Sequence, residues 1–179
     1  MIPNEKEIYI LWDTYALPSY KRIHCEKVAG VAMAIAQRIN AKGEYRVNEP
    51  LLLAAALLHD IDKDIEKLAQ ERHPDAAVRV LQKDGMDEVA EVIRTHPLHM
   101  IINEKTAPKT REQQLLFLAD KMTKFACIGV DERFALWKKE DADEMSQQIL
   151  KESYPKVIAL RDSILSDAGI TEEELIKLL

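Results

Sequence analysis

The apolar residues of this chain recur mostly three and four positions apart, and this spacing constrains the fold more than any other feature. It is the repeat of helices that bury one face, whereas a half-buried strand needs strict alternation. Alternating β-branched runs bounded by hairpin turns are absent, so the sequence predicts an all-α, single-domain helical bundle over residues 1–179. A chain of 179 residues with 47% hydrophobic content is enough for one packed core, and no repeat, low-complexity tract or linker divides it.

A first helix, about Asn4 to Tyr15, stops before Leu17-Pro18, because proline disfavours helical geometry in the residue before it. Ser19 is the candidate cap of a second helix running to about Ala41, with His24, Val28, Val31, Ala32, Ile35 and Ile39 on one face and Gly43 as its stop. A polar turn over Tyr45 to Asn48 leads to a helix started by Pro50, in which Leu52, Ala55, Ala56 and His59 share a face and His59-Asp60 stands at the end. Ile61 to Arg72 reads as charged loop with a short helix, and Asp62 within it as a surface residue. His73-Pro74 opens a helix that lasts until Gly85, and Asp87 is the candidate cap of one ending at His96-Pro97. The two prolines of 97–109 predict a loop lying over the site as a lid. Thr110 caps a helix of about Arg111 to Cys127 carrying Leu116, Phe117 and Asp120. Two helices fill Asp131 to Ile164, the second from Asp141, and a short one follows Thr171; residues 131–179 pack on the domain or form a homodimer seam.

The formal net charge of −6 argues against a nucleic-acid-binding surface, which needs clustered Lys and Arg. The longest apolar run, Leu51 to Leu58, falls far short of the roughly 20 residues that span a bilayer, and the first residues lack a secretory pattern. Two cysteines, Cys25 and Cys127, suggest neither a disulfide framework nor a thiolate metal site, so a reducing, cytoplasmic setting is expected. Trp12, Phe134 and Trp137 read as packing rather than as a base-stacking platform, since no basic stripe accompanies them.

Against this background the histidines and two aspartates stand out. His59-Asp60 sets a nitrogen and an oxygen ligand side by side behind an apolar run that pushes them into the protein, where an ionised carboxylate needs a partner or a cation. His24 and Asp120 add an imidazole and a carboxylate from two other helices, and His73 and His96 could hold a second ion bridged through Asp60. Imidazole and carboxylate ligands suit iron, manganese, cobalt, nickel or zinc, as one or two divalent or trivalent ions.

The order His24, then His59-Asp60-Ile61-Asp62-Lys63, then Leu118-Ala119-Asp120-Lys121, resembles the HD superfamily of metal-dependent phosphohydrolases across about Tyr20 to Phe125. His73 in HPDAAVRVL and His96 in VAEVIRTH resemble its dinuclear branch, which includes the YqeK-like symmetrical diadenosine tetraphosphate hydrolases. Thr95-His96-Pro97-Leu98-His99 departs from that nucleotide-hydrolase pattern, while LADKMTK and Asp131-Glu132-Arg133-Phe134 look more like HDIG-type proteins. The resemblance implies an HD-domain helical bundle hydrolysing a phosphoester or phosphoanhydride in a small anionic metabolite, a nucleotide or dinucleotide first. In it Asp60, Lys63 and Asp64 are the catalytic candidates, Lys63 for phosphate charge or the leaving group and Asp64 to orient water or pair with Lys63. Arg94, His99 and Lys121 are the candidate substrate contacts, with His99 also a candidate extra ligand. A non-catalytic metal- or nucleotide-binding regulatory module and a plain helical interaction domain are the competing readings.

Overall fold

The computed structural model describes residues 1–43, 46–140 and 143–179, and among these it is helical throughout, with no strand beyond one isolated bridge between Thr123 and Cys127. The α-helices are α1 (Glu5–Thr14), α2 (Ser19–Lys42), α3 (Glu49–Leu58), α4 (Asp75–Lys83), α5 (Asp87–Arg94), α6 (Arg111–Met122), α7 (Val130–Glu140), α8 (Glu144–Ala168) and α9 (Glu172–Leu178), with 3-10 turns at Ile61–Lys63 and Leu98–Ile102. No helix among the described residues is long and apolar enough to cross a membrane.

Helix α2 is the axis of the bundle, packed against α3, α6 and α8. Its predicted inward face is buried from His24 to Ile39, and Gly43 ends it in the left-handed conformation (φ 75°) that favours glycine. Helix α3 is the apolar plug. Leu51 and Leu52 and all of Ala54–Leu58 are buried, and the Trp12 indole donates to the Leu57 carbonyl at 2.9 Å, tying α1 to it. Burial of this kind contributes about 1.5–3 kcal/mol for each large apolar side chain, which offsets the cost of the polar residues that follow in the sequence. Helix α5 packs on α3, α4 and α6, and α8 runs back across α2, α6 and α7.

Several helix ends differ from expectation. Pro18, not Ser19, precedes α2; its carbonyl receives the amides of Lys21 and Arg22, and Ser19 is already helical. Met86 stands at the start of α5, with Asp87 in the first turn, where a carboxylate favours the positive helix end without a capping bond. His73 and His96 lie just outside α4 and α5 rather than within them. Helix α6 ends at Met122 instead of Cys127, because Thr123 turns extended and the chain closes a tight loop through the Thr123–Cys127 bridge. Thr110 does cap α6, in a reciprocal capping box with Gln113. Asp143 caps α8; the predicted start at Asp141, like Tyr45 in the predicted turn, lies outside the described residues.

The 97–109 segment is not a free lid. Ile101 is buried, the segment folds as a 3-10 turn against α8, and Lys156 Nζ donates to the Ile102 carbonyl at 2.8 Å. Its apolar residues Leu98, Ile101 and Ile102 anchor it to the core, an attachment hidden behind the prolines and charges of the sequence.

Candidate metal centre

Where α2, α3, α5 and α6 converge, four of the chain's five histidines form a continuous row. His24 lies 5.3 Å from His59 between ring centroids, His59 lies 5.1 Å from His96, and His96 lies 4.7 Å from His73. Each ring comes from a different element. His24 is in the second turn of α2, His59 caps the C-terminus of α3, His73 precedes α4 and His96 follows α5. Asp60 opens the 3-10 turn after His59, and Asp120 comes from the last turn of α6.

Every ring in the row is held by its Nδ1. His24 Nδ1 donates to the Lys124 carbonyl (2.8 Å), His59 Nδ1 to the Ala56 carbonyl (2.8 Å) and His96 Nδ1 to the Ile93 carbonyl (2.7 Å). His73 Nδ1 donates to the Asp62 carboxylate (2.8 Å). A carbonyl oxygen only accepts, so the proton is on Nδ1 and the lone pair of each neutral ring is on Nε2. These lone pairs face inward. His73 Nε2 and His96 Nε2 meet at 2.8 Å, and the wholly buried His59 Nε2 has no hydrogen-bond partner. Two inward lone pairs at contact, with the unpartnered His59 Nε2 beside them, lack a donor or a cation between them. Such buried groups cost about 1–3 kcal/mol each if left unanswered.

The carboxylates interleave with the row. Asp120 Oδ1 sits 3.1 Å from His24 Nε2 and 3.6 Å from His59 Nε2. Asp60 faces both halves: Oδ2 lies 3.9 Å from His59 Nε2 and Oδ1 lies 3.5 Å from His73 Nε2. Three overlapping sets therefore have all their ligand atoms within 4.8 Å of one another: His24, His59, Asp60; His59, His96, Asp120; and Asp60, His73, His96. The residues fit a metal centre by donor type, by anchored Nδ1 atoms and by the unpartnered Nε2, with Asp60 placed to be shared between two ions.

Three lysines pair with the two carboxylates of the row. Lys21 and Lys63 reach Asp60 at 2.7 and 3.0 Å, and Lys121 pairs with Asp120 while also donating to the His96 carbonyl at 2.8 Å. Burial works against the charge of Asp60, but His59, Lys63 and Lys21 outweigh it and hold the carboxyl well below the usual range. Burial likewise opposes charge on Asp120, where Lys121 and the neighbouring His24 and His59 rings prevail. The two buried central histidines diverge. His59 is penalised by burial yet pulled well above the ordinary imidazole value by Cys25, Asp60 and Asp120. His96 is pushed well below it by burial and by the cationic neighbourhood of His73, His59 and Lys121.

The six predicted ligand residues, His24, His59, Asp60, His73, His96 and Asp120, are thus brought together; the other site candidates are not all placed with them. Lys63 borders the cleft above the cluster, but its carboxylate partner is Asp60, while Asp64 is exposed and is not among the residues lining the cleft. Lys121 lines the cleft but is only 3% exposed and committed to Asp120 and His96. His99 is exposed on the 3-10 turn and is not among the lining residues. Arg94 pairs with Glu91 at 2.9 Å and faces a separate hollow bordered by Met100 and Lys109.

Asp62 reverses expectation most sharply. It is 0% exposed, it orients His73, and its second oxygen has no partner. A reading by local charge density placed it at the surface, because a carboxylate among Lys63, Asp64 and Glu66 looks solvated; only its spacing from His59-Asp60 within the turn would have suggested otherwise. Lys21 was overlooked as well, although it lies one helical turn before His24 and so on the same side of α2.

Nothing among solved structures matches the chain. The family model of the HD domain matches residues 22–124, more than half of the chain and the segment that supplies every histidine and aspartate of the cluster. From that match, and from ligands arranged as described, we conclude that the chain belongs to the HD domain family, whose members are generally metal-dependent phosphohydrolases.

Proposed function

We propose that the protein hydrolyses a phosphoester or phosphoanhydride bond in a small anionic metabolite, with nucleotides or dinucleotides such as those cleaved by the YqeK-like branch as the first class to test. The observation that carries this reading is the row of four imidazoles whose Nε2 atoms converge on Asp60 and Asp120 at the floor of a lysine-lined cleft. His24, His59, Asp60 and Asp120 would hold one ion, and His73 and His96 a second with Asp60 shared. Metal held there, of the iron, manganese, cobalt, nickel or zinc group, supplies an acidified water and neutralises charge developing on the phosphoryl oxygens.

The remaining work falls to side chains. Lys21 and Lys63, 24% and 28% exposed, would turn from Asp60 to the phosphoryl oxygens, and Lys63 would protonate the leaving oxygen. Lys121 is buried and serves to hold Asp120 in place. Asp62 keeps His73 turned with Nε2 inward.

The test is hydrolysis by purified protein loaded in turn with manganese, iron, cobalt, nickel or zinc, against nucleoside mono- and triphosphates and dinucleoside polyphosphates. Turnover with at least one metal, lost in His59→Ala, supports the reading. Full metal loading without turnover of any substrate would instead identify a non-catalytic binding module, and absence of metal binding would overturn both.

A further inference from the structure

The cleft above the metal centre, about 450 Å3, has two unlike ends. Its floor is ionic and belongs to residues 22–124 with Lys21 beside them; its far wall is aromatic and aliphatic and lies beyond residue 124. Phe125, Trp137, Ile149 and Leu150 form that wall, and Tyr20 also lines the cleft. Phe125 and Tyr20 are each 55% exposed. Rings left open to water beside a charged site forgo burial free energy of about 25 cal/mol per Å2, a cost that a ligand pocket explains better than packing does. Trp137 was expected to be a packing residue, and in part it is, edge-on to buried Phe134 at 5.3 Å, but its ring also borders the cleft.

The wall is held at a set distance from the metal centre. The Lys124 carbonyl that anchors His24 belongs to the residue just before Phe125, and this loop is closed by the Thr123–Cys127 bridge and by the Lys124 amide donating to the Ala126 carbonyl at 3.1 Å. Across the wall, the Arg133 guanidinium lies 4.2 Å from the Trp137 ring centroid, a planar cation on a planar ring. The polar groups here are the cations Lys124 and Arg133 and the Ser146 hydroxyl, which Asp143 holds. Among the described lining residues, the only carboxylates are Asp60 and Asp120 on the floor, and no side-chain amide is present.

We propose that this wall, led by Phe125 and Trp137, is a ring-binding subsite: the substrate is a phosphorylated compound whose organic part carries a planar ring, recognised by stacking and not by reading its edge. The inference rests on the phosphohydrolase reading above and adds to it the residues that select the substrate. With the Ser146 hydroxyl as its only side-chain acceptor and no bidentate carboxylate or amide, the wall has little with which to select the exocyclic amino group of one base over another, so it separates ring from no ring and tolerates different rings.

Phenylphosphonate and methylphosphonate test this on manganese-loaded protein, because both carry the same charged head on an uncleavable P–C bond and differ in the ring. Isothermal titration is expected to give phenylphosphonate about tenfold tighter binding, in the lower range for stacking on an aromatic side chain. Phe125→Ala, at an exposed loop tip, and Trp137→Leu should each remove most of that difference while methylphosphonate affinity stays within about twofold. The 5′-phosphonate analogues of adenosine and uridine monophosphate should bind within about threefold of each other. Equal binding of phenyl- and methylphosphonate, a ring preference that survives both substitutions, or strong discrimination between the two nucleoside phosphonates would overturn the subsite while leaving the phosphohydrolase reading intact. Binding of neither simple phosphonate to metal-loaded protein would instead overturn that reading, and the subsite with it.

Discussion

The two halves of the histidine row are built differently. The His24–His59–Asp120 half rests on the long helices α2, α3 and α6, its imidazoles are anchored by backbone carbonyls, and its carboxylate is pinned by buried Lys121. In the His73–His96 half, His96 is also anchored by a backbone carbonyl, that of Ile93, but His73 is more open than any other ring in the row and its anchor is a side chain, Asp62. A backbone carbonyl is present whatever residue carries it, whereas a side-chain anchor depends on one residue being right. The first half is therefore expected to form with the fold, and the second to be adjustable by substitution at a single position.

The largest expected effect is at the residue both halves share. Asp60→Asn should lower metal content at both positions and reduce hydrolysis by roughly a thousandfold, several kcal/mol of lost stabilisation; elemental analysis that still finds full loading would show that the halves do not meet at Asp60. Next, His73→Gln should leave one tightly held ion per chain and His59→Ala none, measured after exhaustive dialysis, and equal losses in the two variants would erase the distinction between the halves. Asp62→Leu should weaken one of two ions by about 10–100-fold, the usual cost of removing a group that orients a metal-binding histidine, with Asp62→Asn recovering part of it. Chelator competition measures this, and an unchanged affinity would mean that His73 needs no support from behind.

The smallest effect concerns pH in metal-stripped protein. His59 is raised, so its contribution to stability is present below about 6.5, the ordinary imidazole value, and is lost as pH rises through its folded value. His96 is lowered, so its contribution is present above about 6.5 and is lost as pH falls toward its folded value. The advantage in melting temperature of wild type over His59→Gln should shrink on raising the pH, and that over His96→Gln on lowering it. Parallel trends would contradict the opposite electrostatic settings of the two rings.

The first half was also the more legible in the sequence. His24 fell on a helix face with Val28, Val31 and Ile35, and the run Leu51 to Leu58 forced His59-Asp60 inward, so periodicity and burial sufficed. Asp62, Lys21 and the cleft wall were not legible in that way. A buried carboxylate among charged neighbours has no periodic signature, the Lys21–Asp60 pair joins residues 39 apart in sequence, and Trp137 reaches the cleft only because α7 folds back beside α6. The lid failed for a related reason: proline content reports a break in helix, not whether Ile101 finds a core to enter.

The contact between His24 and Asp120 closes a loop of chain between residues 96 apart in sequence. An ion held by both side chains, together with His59 and Asp60 between them, would act as a removable cross-link, restricting the unfolded chain much as a long-range covalent bridge would. Because it binds the folded form, each tenfold rise in free metal above its dissociation constant adds about 1.4 kcal/mol of resistance to unfolding. For this protein, metal supply would then govern how long a molecule survives as well as how fast it works, and a starved population would be thinned by proteolysis.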